Sequence, residues 1–299
     1  MFGGFSGITA RFGATPAPFK GALCMVGATL AMSLMSADIR HLSATVHPFE
    51  ITFFRNLFGL AAFAPLFLRT GFKPLRTRHP GLHALRAVLN TAGMLLFFTA
   101  LGLVPLALVA ALAFTSPLFA TLYAIVVLGE RVRVRRWTAL IAGFAGALVI
   151  VRPGIAEIDA GALLVVLSSA IWAGALMVIK VLSRTDSPVT ITALAALLMT
   201  PLSAIPAALV WQWPSPAELG WLAAVGILGS LGQVAVAQAF RFAEVGAVLP
   251  FDFLKLIWAA LLGLVLFAEV PDGWTLVGGA IIFAAATYIA YRETGLRAA

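Results

Sequence analysis

Ten apolar runs, each long enough to cross a bilayer, fill almost all of this 299-residue chain. A membrane-spanning helix needs about 20 consecutive, mostly apolar residues. The runs lie at 19–41, 48–68, 81–102, 105–128, 135–152, 159–181, 188–211, 217–241, 245–268 and 272–291. The links between them are short. The tightest, Gly102-Leu103-Val104-Pro105, joins the third run to the fourth, with glycine and proline punctuating the helices. No stretch remains for a soluble domain. Charged residues make up 11% of the chain, against about 25% in soluble globular domains, so there is too little polar surface to dress a water-soluble fold. The predicted fold is an all-α integral membrane protein of ten transmembrane helices. Residues Gly21 to Met35, preceded by Arg11 and Lys20 and followed by Ser36-Ala37, have the outline of a signal peptide. The stretch is long for that role and has a counterpart later in the chain, so it is read as the first span.

The formal net charge of +8 would raise nucleic acid as a partner for a soluble protein. Here the basic residues are confined to short segments between apolar runs, so the expected partner is the lipid bilayer and not nucleic acid. Their placement predicts orientation. With the N-terminus cytoplasmic, sixteen of the 20 lysines and arginines fall on the cytoplasmic side, and only Arg40 and Arg152 fall outside. Arg55 and Lys255 lie within spans. Both termini are therefore expected in the cytoplasm, with the chain in the inner membrane.

The chain also repeats itself. Gly21-Ala22-Leu23 returns as Gly161-Ala162-Leu163 and Pro48 as Pro188, both at a shift of 140. Ala100, Phe114 and Glu130 return as Ala239, Phe253 and Glu269 at 139, and Trp137-Thr138 as Trp274-Thr275 at 137. Five spans is an odd number, so the second copy is expected to run through the membrane upside down. The predicted division is a tail at 1–18, a five-span repeat at 19–153, its inverted copy at 158–292, and a tail at 293–299. Inverted repeats place a solute site near the midplane and give alternating access by rocking of one half on the other.

Polar groups inside a span are costly and point to function or to a partner. Asp252 and Lys255, three residues apart in span 9, share a helix face and are expected to pair. They either meet the ammonium and carboxylate of a zwitterion or pin helix packing. Arg55, in the outer half of span 2, and Asp38, near the outer end of span 1, are placed to pair with each other. Alternatively Arg55 meets an anionic solute group and Asp38 is solvated at the interface. Glu50 opens span 2 beside Pro48, where a carboxylate suits a helix N-terminus. Trp172 is central in span 6, where it lines a cavity or packs the core. Gln233, Gln238 and Asn90 line the pathway or bond a neighbouring helix. Glu130 and Glu269, equivalent in the two copies, are assigned structural roles.

Enzyme chemistry finds no support. There is no Gly-x-x-x-x-Gly-Lys-Ser/Thr phosphate loop and no His-Glu-x-x-His motif. Gly4-Phe5-Ser6-Gly7 lies in the N-terminal tail, and His41, His47, His79 and His83 lie in or beside loops. Cys24 is the only cysteine, so no intrachain disulfide or cysteine metal site is expected. No cofactor is called for. Small residues in spans 5 and 10 would suit helix packing within one chain or between two copies in a homodimer.

Several motifs together resemble the drug/metabolite transporter superfamily, and within it the EamA-type members. They are His47-Pro48-Phe49-Glu50 with Phe53-Phe54-Arg55-Asn56, Phe114-Thr115-Ser116-Pro117, Leu128-Gly129-Glu130-Arg131 with Trp137, Pro250-Phe251-Asp252-Phe253-Leu254-Lys255 and Phe267-Ala268-Glu269-Val270-Pro271. The resemblance covers nearly the whole chain and implies ten spans in two inverted halves carrying a small solute. The Asp38, Glu50 and Arg55 stretch is similar to bacterial S-adenosylmethionine uptake transporters and, more distantly, to aromatic amino acid exporters. It departs from them at Asp252 and Lys255. The expectation is a carrier of amino acids or amino-acid-derived metabolites, with a larger cofactor or vitamin, or a channel, as alternatives.

Overall fold

The computed structural model describes residues 17–61, 75–128, 134–152, 159–243 and 249–295. Every regular element among them is helical. In chain order they are α1 (Ala17–Leu42), α2 (Pro48–Ala61), α3 (Pro80–Leu103), α4 (Leu106–Ala113), α5 (Ser116–Leu128), α6 (Val134–Val151), α7 (Ala160–Leu182), α8 (Pro188–Leu209), α9 (Pro216–Phe242), a 3-10 turn (Leu249–Phe253), α10 (Leu254–Phe267) and α11 (Gly273–Gly295). Among the described residues, six stretches have the length and apolarity to cross a membrane: Phe19–Leu42, Pro80–Leu103, Leu106–Val126, Ala160–Leu182, Thr190–Leu209 and Pro216–Phe242. Trp137–Val151 and Gly273–Tyr288 are shorter apolar helices. Residues 62–68 of the second run, 245–248 of the ninth, and Glu130 lie outside the described residues.

Two of the predicted spans are not continuous helices. The run 105–128 breaks between α4 and α5 at Phe114-Thr115. Pro117 explains the break: it has no N–H for the carbonyl of Ala113, and its ring clashes there, but it fits the first turn of a new helix. In the run 245–268, Pro250 sits in the 3-10 turn, and α-helix begins only at Leu254.

The helices start where their caps dictate. Asp159, Ser187 and Ser215 each accept a backbone N–H at the openings of α7, α8 and α9, and Ser215 forms a full capping box with Glu218. Helix α1 lies along α9, α3 along α7, α2 along α8 and α6 along α11. Fully buried Ile39, Leu101, Leu112, Leu118 and Ile282 belong to one apolar core. The outward surface keeps large apolar side chains such as Val126, Ile141, Leu209 and Val265 exposed, as lipid contact requires. Three tryptophans, Trp213, Trp221 and Trp274, stand exposed at or near the openings of α9 and α11, the place of an interfacial aromatic belt.

Glycines set the closest crossings. At the α6–α11 crossing, a Cβ on Gly278 would come within 2.6 Å of the Gly146 carbonyl oxygen, and one on Gly146 within 2.9 Å of that of Gly278. Backbone cannot yield there as a side chain would. Gly278→Leu should therefore lower stability by about 1–3 kcal/mol, the usual overpacking range, read as a lower unfolding temperature in detergent. Gly220→Leu, where a Cβ meets nothing within 4 Å, is the control. Equal losses for both variants would show that this crossing is not specially tight.

Candidate functional site

The broken runs bring together two phenylalanines that match at the 139-residue shift of the sequence. Phe114 stands at the α4–α5 break and Phe253 at the start of α10, with ring centroids 6.3 Å apart. Phe283 of α11 completes the group, 5.7 Å from Phe114 and 4.4 Å from Phe253. Next to Phe253 in sequence, the Lys255 ammonium meets the Asp252 carboxylate at 2.6 Å, so the predicted pair forms. It forms at a helix junction rather than within a continuous helix: Asp252 belongs to the 3-10 turn and Lys255 to the first turn of α10. Their side chains keep 22% and 32% of their surface accessible, so the pair is not sealed in packing. Irregular backbone at membrane depth is tolerated where it is buried in protein or lines a cavity. Aromatic faces beside an accessible acid–base pair are equipped to stack on a flat ring and fix its polar groups.

Arg55 and Asp38 are not brought together. Arg55 lies half-buried in α2, donates to Asn56 Oδ1 at 3.2 Å, and packs against Gly229 of α9, whose added Cβ would lie 3.4 Å from Arg55 Nε. Asn56 in turn donates to Ser203 of α8 at 3.1 Å. Asp38 is not solvated as expected near a helix end: it is 8% exposed, and neither carboxylate oxygen accepts a hydrogen bond among the described residues. Above Arg55, Phe53 and Phe54 each sit 5.7 Å from Trp211, which meets Trp213 edge-on at 5.4 Å.

The remaining candidates separate. Trp172 fills the space that Gly93 leaves in α3, where a Cβ would lie 2.7 Å from the indole, and it packs on Phe97 at 5.0 Å. Asn90 donates to the carbonyl of Arg86 one turn back, not to a neighbouring helix. Gln233 is exposed and Gln238 half-buried on α9, and neither bonds another helix among the described residues. Among the described residues, no cluster of three or more His, Cys, Asp or Glu is placed to hold a metal.

Polar contacts tie both ends of the bundle. At one end, Arg40 pairs with Glu269 and donates to the carbonyls of Leu101 and Val104 at 2.8 and 2.9 Å. Glu269 also accepts from the Leu106 N–H at 2.9 Å. The left-handed Ala268, φ 55°, turns the chain so that Glu269 folds back over Gly263. Buried Glu50, read as a helix-start residue, reaches across to the Gln212 N–H at 2.8 Å, and Arg152 pairs with Asp272 at 2.9 Å. At the opposite end, buried His83 donates to Asp186 at 2.7 Å, and Arg86 donates to the Ile191 carbonyl. Sequence reasoning missed the phenylalanine trio and the Arg40 cluster. Phe114 and Phe253 did carry a signal, being matched across the repeat. Phe283 carried none.

Residues 19–152 and 159–291 each match the EamA-like transporter family. The chain is 34% identical over 276 residues, 91% of each protein, to the riboflavin transporter of Rhizobium johnstonii. It is 29% identical over 254 residues, 85% of this chain and 87% of the other, to the S-adenosylmethionine uptake transporter of Rickettsia bellii. One crystal structure, 22% identical, matches with a TM-score of 0.60 over 92% of this chain and 97% of that one, which marks a shared fold.

The tie at the opposite end should respond to pH. Hydrogen bonds from His83 and Thr77 hold the Asp186 carboxyl below its usual 3.8. A lowered folded value stabilises the protein above the unfolded value and stops doing so as pH falls through the folded one. Asp186→Asn should therefore melt a few degrees below wild type at pH 7, with the gap closing on acidification below pH 3.8. A gap independent of pH would assign the loss to packing alone.

Proposed function

The chain belongs to the EamA-like transporter family, and from that premise we propose that it carries a heteroaromatic, cofactor-type solute of riboflavin's kind across the inner membrane by alternating access. It is a multi-pass membrane transporter of small solutes and not an enzyme. The observation that carries the solute reading is the trio Phe114, Phe253 and Phe283 beside the accessible Asp252–Lys255 pair. A fused aromatic ring system stacks on such faces, while an acid and a base order its polar groups. The name of the Rhizobium relative favours this class over free amino acids, which one acid and one base at midplane suggest by themselves. S-adenosylmethionine, a zwitterion with an adenine ring, is the second reading, favoured by the Rickettsia relative.

We read the architecture as ten spans in two inverted five-span copies with both termini cytoplasmic. Recurring contacts support this. Met32 of α1 lies over Gly232 of α9, as Trp172 of α7 lies over Gly93 of α3. Residues 32 and 172 differ by 140 and residues 93 and 232 by 139, the shifts of the sequence repeat. Spans 4 and 9 break at matching places, and matched Phe114 and Phe253 touch each other, as residues near an internal two-fold would. Discontinuous helices in corresponding positions of two halves mark a solute site. The orientation is supported by Arg40 and Arg152, the two exceptions to the charge bias: Glu269 and Asp272 neutralise them.

Purified protein in liposomes should show saturable riboflavin uptake and counterflow. Asp252→Ala with Lys255→Ala, or Phe253→Ala, should weaken it about tenfold or more, a loss of about 1.4 kcal/mol. Uptake of S-adenosylmethionine but not riboflavin would establish the second reading. Flux without saturation or counterflow would mean a channel. Full activity in the double variant would leave the pair a purely structural role.

A further inference from the structure

Asp38 is a buried acid that nothing so far employs. The residue is 8% exposed in α1, one turn short of the helix end, and both carboxylate oxygens lack a hydrogen-bond partner among the described residues. An ionised carboxylate cannot rest in such a place without water or a cation; it takes up a proton instead.

The charged groups on the elements packed against α1 either bond other groups or lie toward the opposite end of the bundle. On α2, Arg55 donates to Asn56, and Glu50 accepts from Gln212. On α3, His83 and Arg86 lie at the far end, bonded to Asp186 and Ile191. On α9, Glu218 bonds Ser215, and Arg241 lies in the last turn. Lys255 of α10 holds Asp252 of the 3-10 turn. On α1 itself, Lys20 lies near the opposite end, and His41 faces the ring of Trp221. Arg40, two residues from Asp38, is spent on Glu269, Leu101 and Val104. The Arg40 cluster thus closes the bundle end just beyond an acid that has no countercharge among the described residues.

We infer that Asp38 is a proton-binding site, filled while the Arg40–Glu269 end of the bundle is shut and emptied when that end opens to water. Opening parts Arg40 from Glu269 and from the α3–α4 turn, water reaches the carboxyl, and the proton leaves to that aqueous phase. Closing takes one proton back, because the bare carboxylate would otherwise be buried unpaired. The inference rests on the alternating-access reading but not on the identity of the solute. Acid at that face holds the end shut, and alkali favours the open form.

The test uses full-length protein in liposomes, with Cys24→Ala removing the native thiol and Val104→Cys as reporter. Val104 is fully buried, and its carbonyl is held by Arg40. Labelling by a membrane-impermeant maleimide reads opening, and the same reporter carrying Asp38→Asn corrects for thiol ionisation. The ratio of labelling with aspartate at 38 to labelling with Asp38→Asn should rise with pH, by up to about tenfold per unit across the titration. Asp38→Glu should retain the rise. If Asp38→Asn does not yield monodisperse protein, Asp38→Thr replaces it. Identical pH profiles with and without the carboxyl overturn the inference. Riboflavin counterflow in the same vesicles keeps the two readings apart. A carboxyl-dependent labelling profile without riboflavin counterflow counts against the solute alone, whereas normal counterflow with a carboxyl-independent profile counts against the proton site alone.

Discussion

The guanidinium of Arg40 answers several demands at once. Helix ends leave backbone carbonyls and N–H groups without partners, and where such an end is buried in protein, as Leu101, Val104 and Leu106 are, little water reaches it to supply them. Arg40 takes two carbonyls at the end of α3, those of Leu101 and Val104. Its partner Glu269 takes the Leu106 N–H at the start of α4, where Pro105 offers no side-chain cap. A carboxylate there also suits the positive end of the helix. Three segments distant in sequence are thereby held by one ion pair: the end of α1, the α3–α4 turn and the turn after α10. The broken spans start and stop against this fixed point.

The interior depends on a second constraint, the absence of Cβ atoms where helices cross. Gly146 and Gly278 let α6 and α11 meet backbone to backbone, while Gly93 and Gly232 make room for Trp172 and Met32. In lipid, helices gain little from burying apolar surface against each other, so close contact and interhelical bonds hold them. Glycine supplies the former and the Asn56–Ser203 link is an instance of the latter.

Much of this was legible in the chain, and the failures have identifiable causes. Apolar run lengths placed most of the described helix ends to within a few residues, because hydrocarbon thickness leaves little choice; the ninth run, expected from 245, becomes α-helix only at Leu254. The place of Glu50 in a first helical turn was legible beside Pro48, but its bond across to the Gln212 N–H was not, because 162 residues separate the partners. The breaks in spans 4 and 9 were also written in the sequence, as Pro117 and Pro250, but unbroken hydrophobicity outweighed them. The Asp252–Lys255 pair followed from spacing. The separation of Arg55 from Asp38 did not, because helix rotation decides it, and Arg55 packs against Gly229 on a helix far along the chain. His83 looked like a loop residue, yet it is buried, since its partner Asp186 lies 103 residues away. Trp172 stood between lining a cavity and packing the core, because Gly93 opposite shows its purpose only once α3 and α7 are side by side.

The paired positions 32 and 172 have one further implication. Both sit in a glycine notch on the facing helix, but one is a thioether on a flexible stem and the other a rigid indole. Methionine reshapes itself as its surroundings shift, whereas tryptophan moves as a single plate. The α1–α9 seam is consequently compliant and the α3–α7 seam stiff. On the alternating-access reading proposed above, the α1–α9 seam is the one that can yield and the α3–α7 seam the one that keeps its shape.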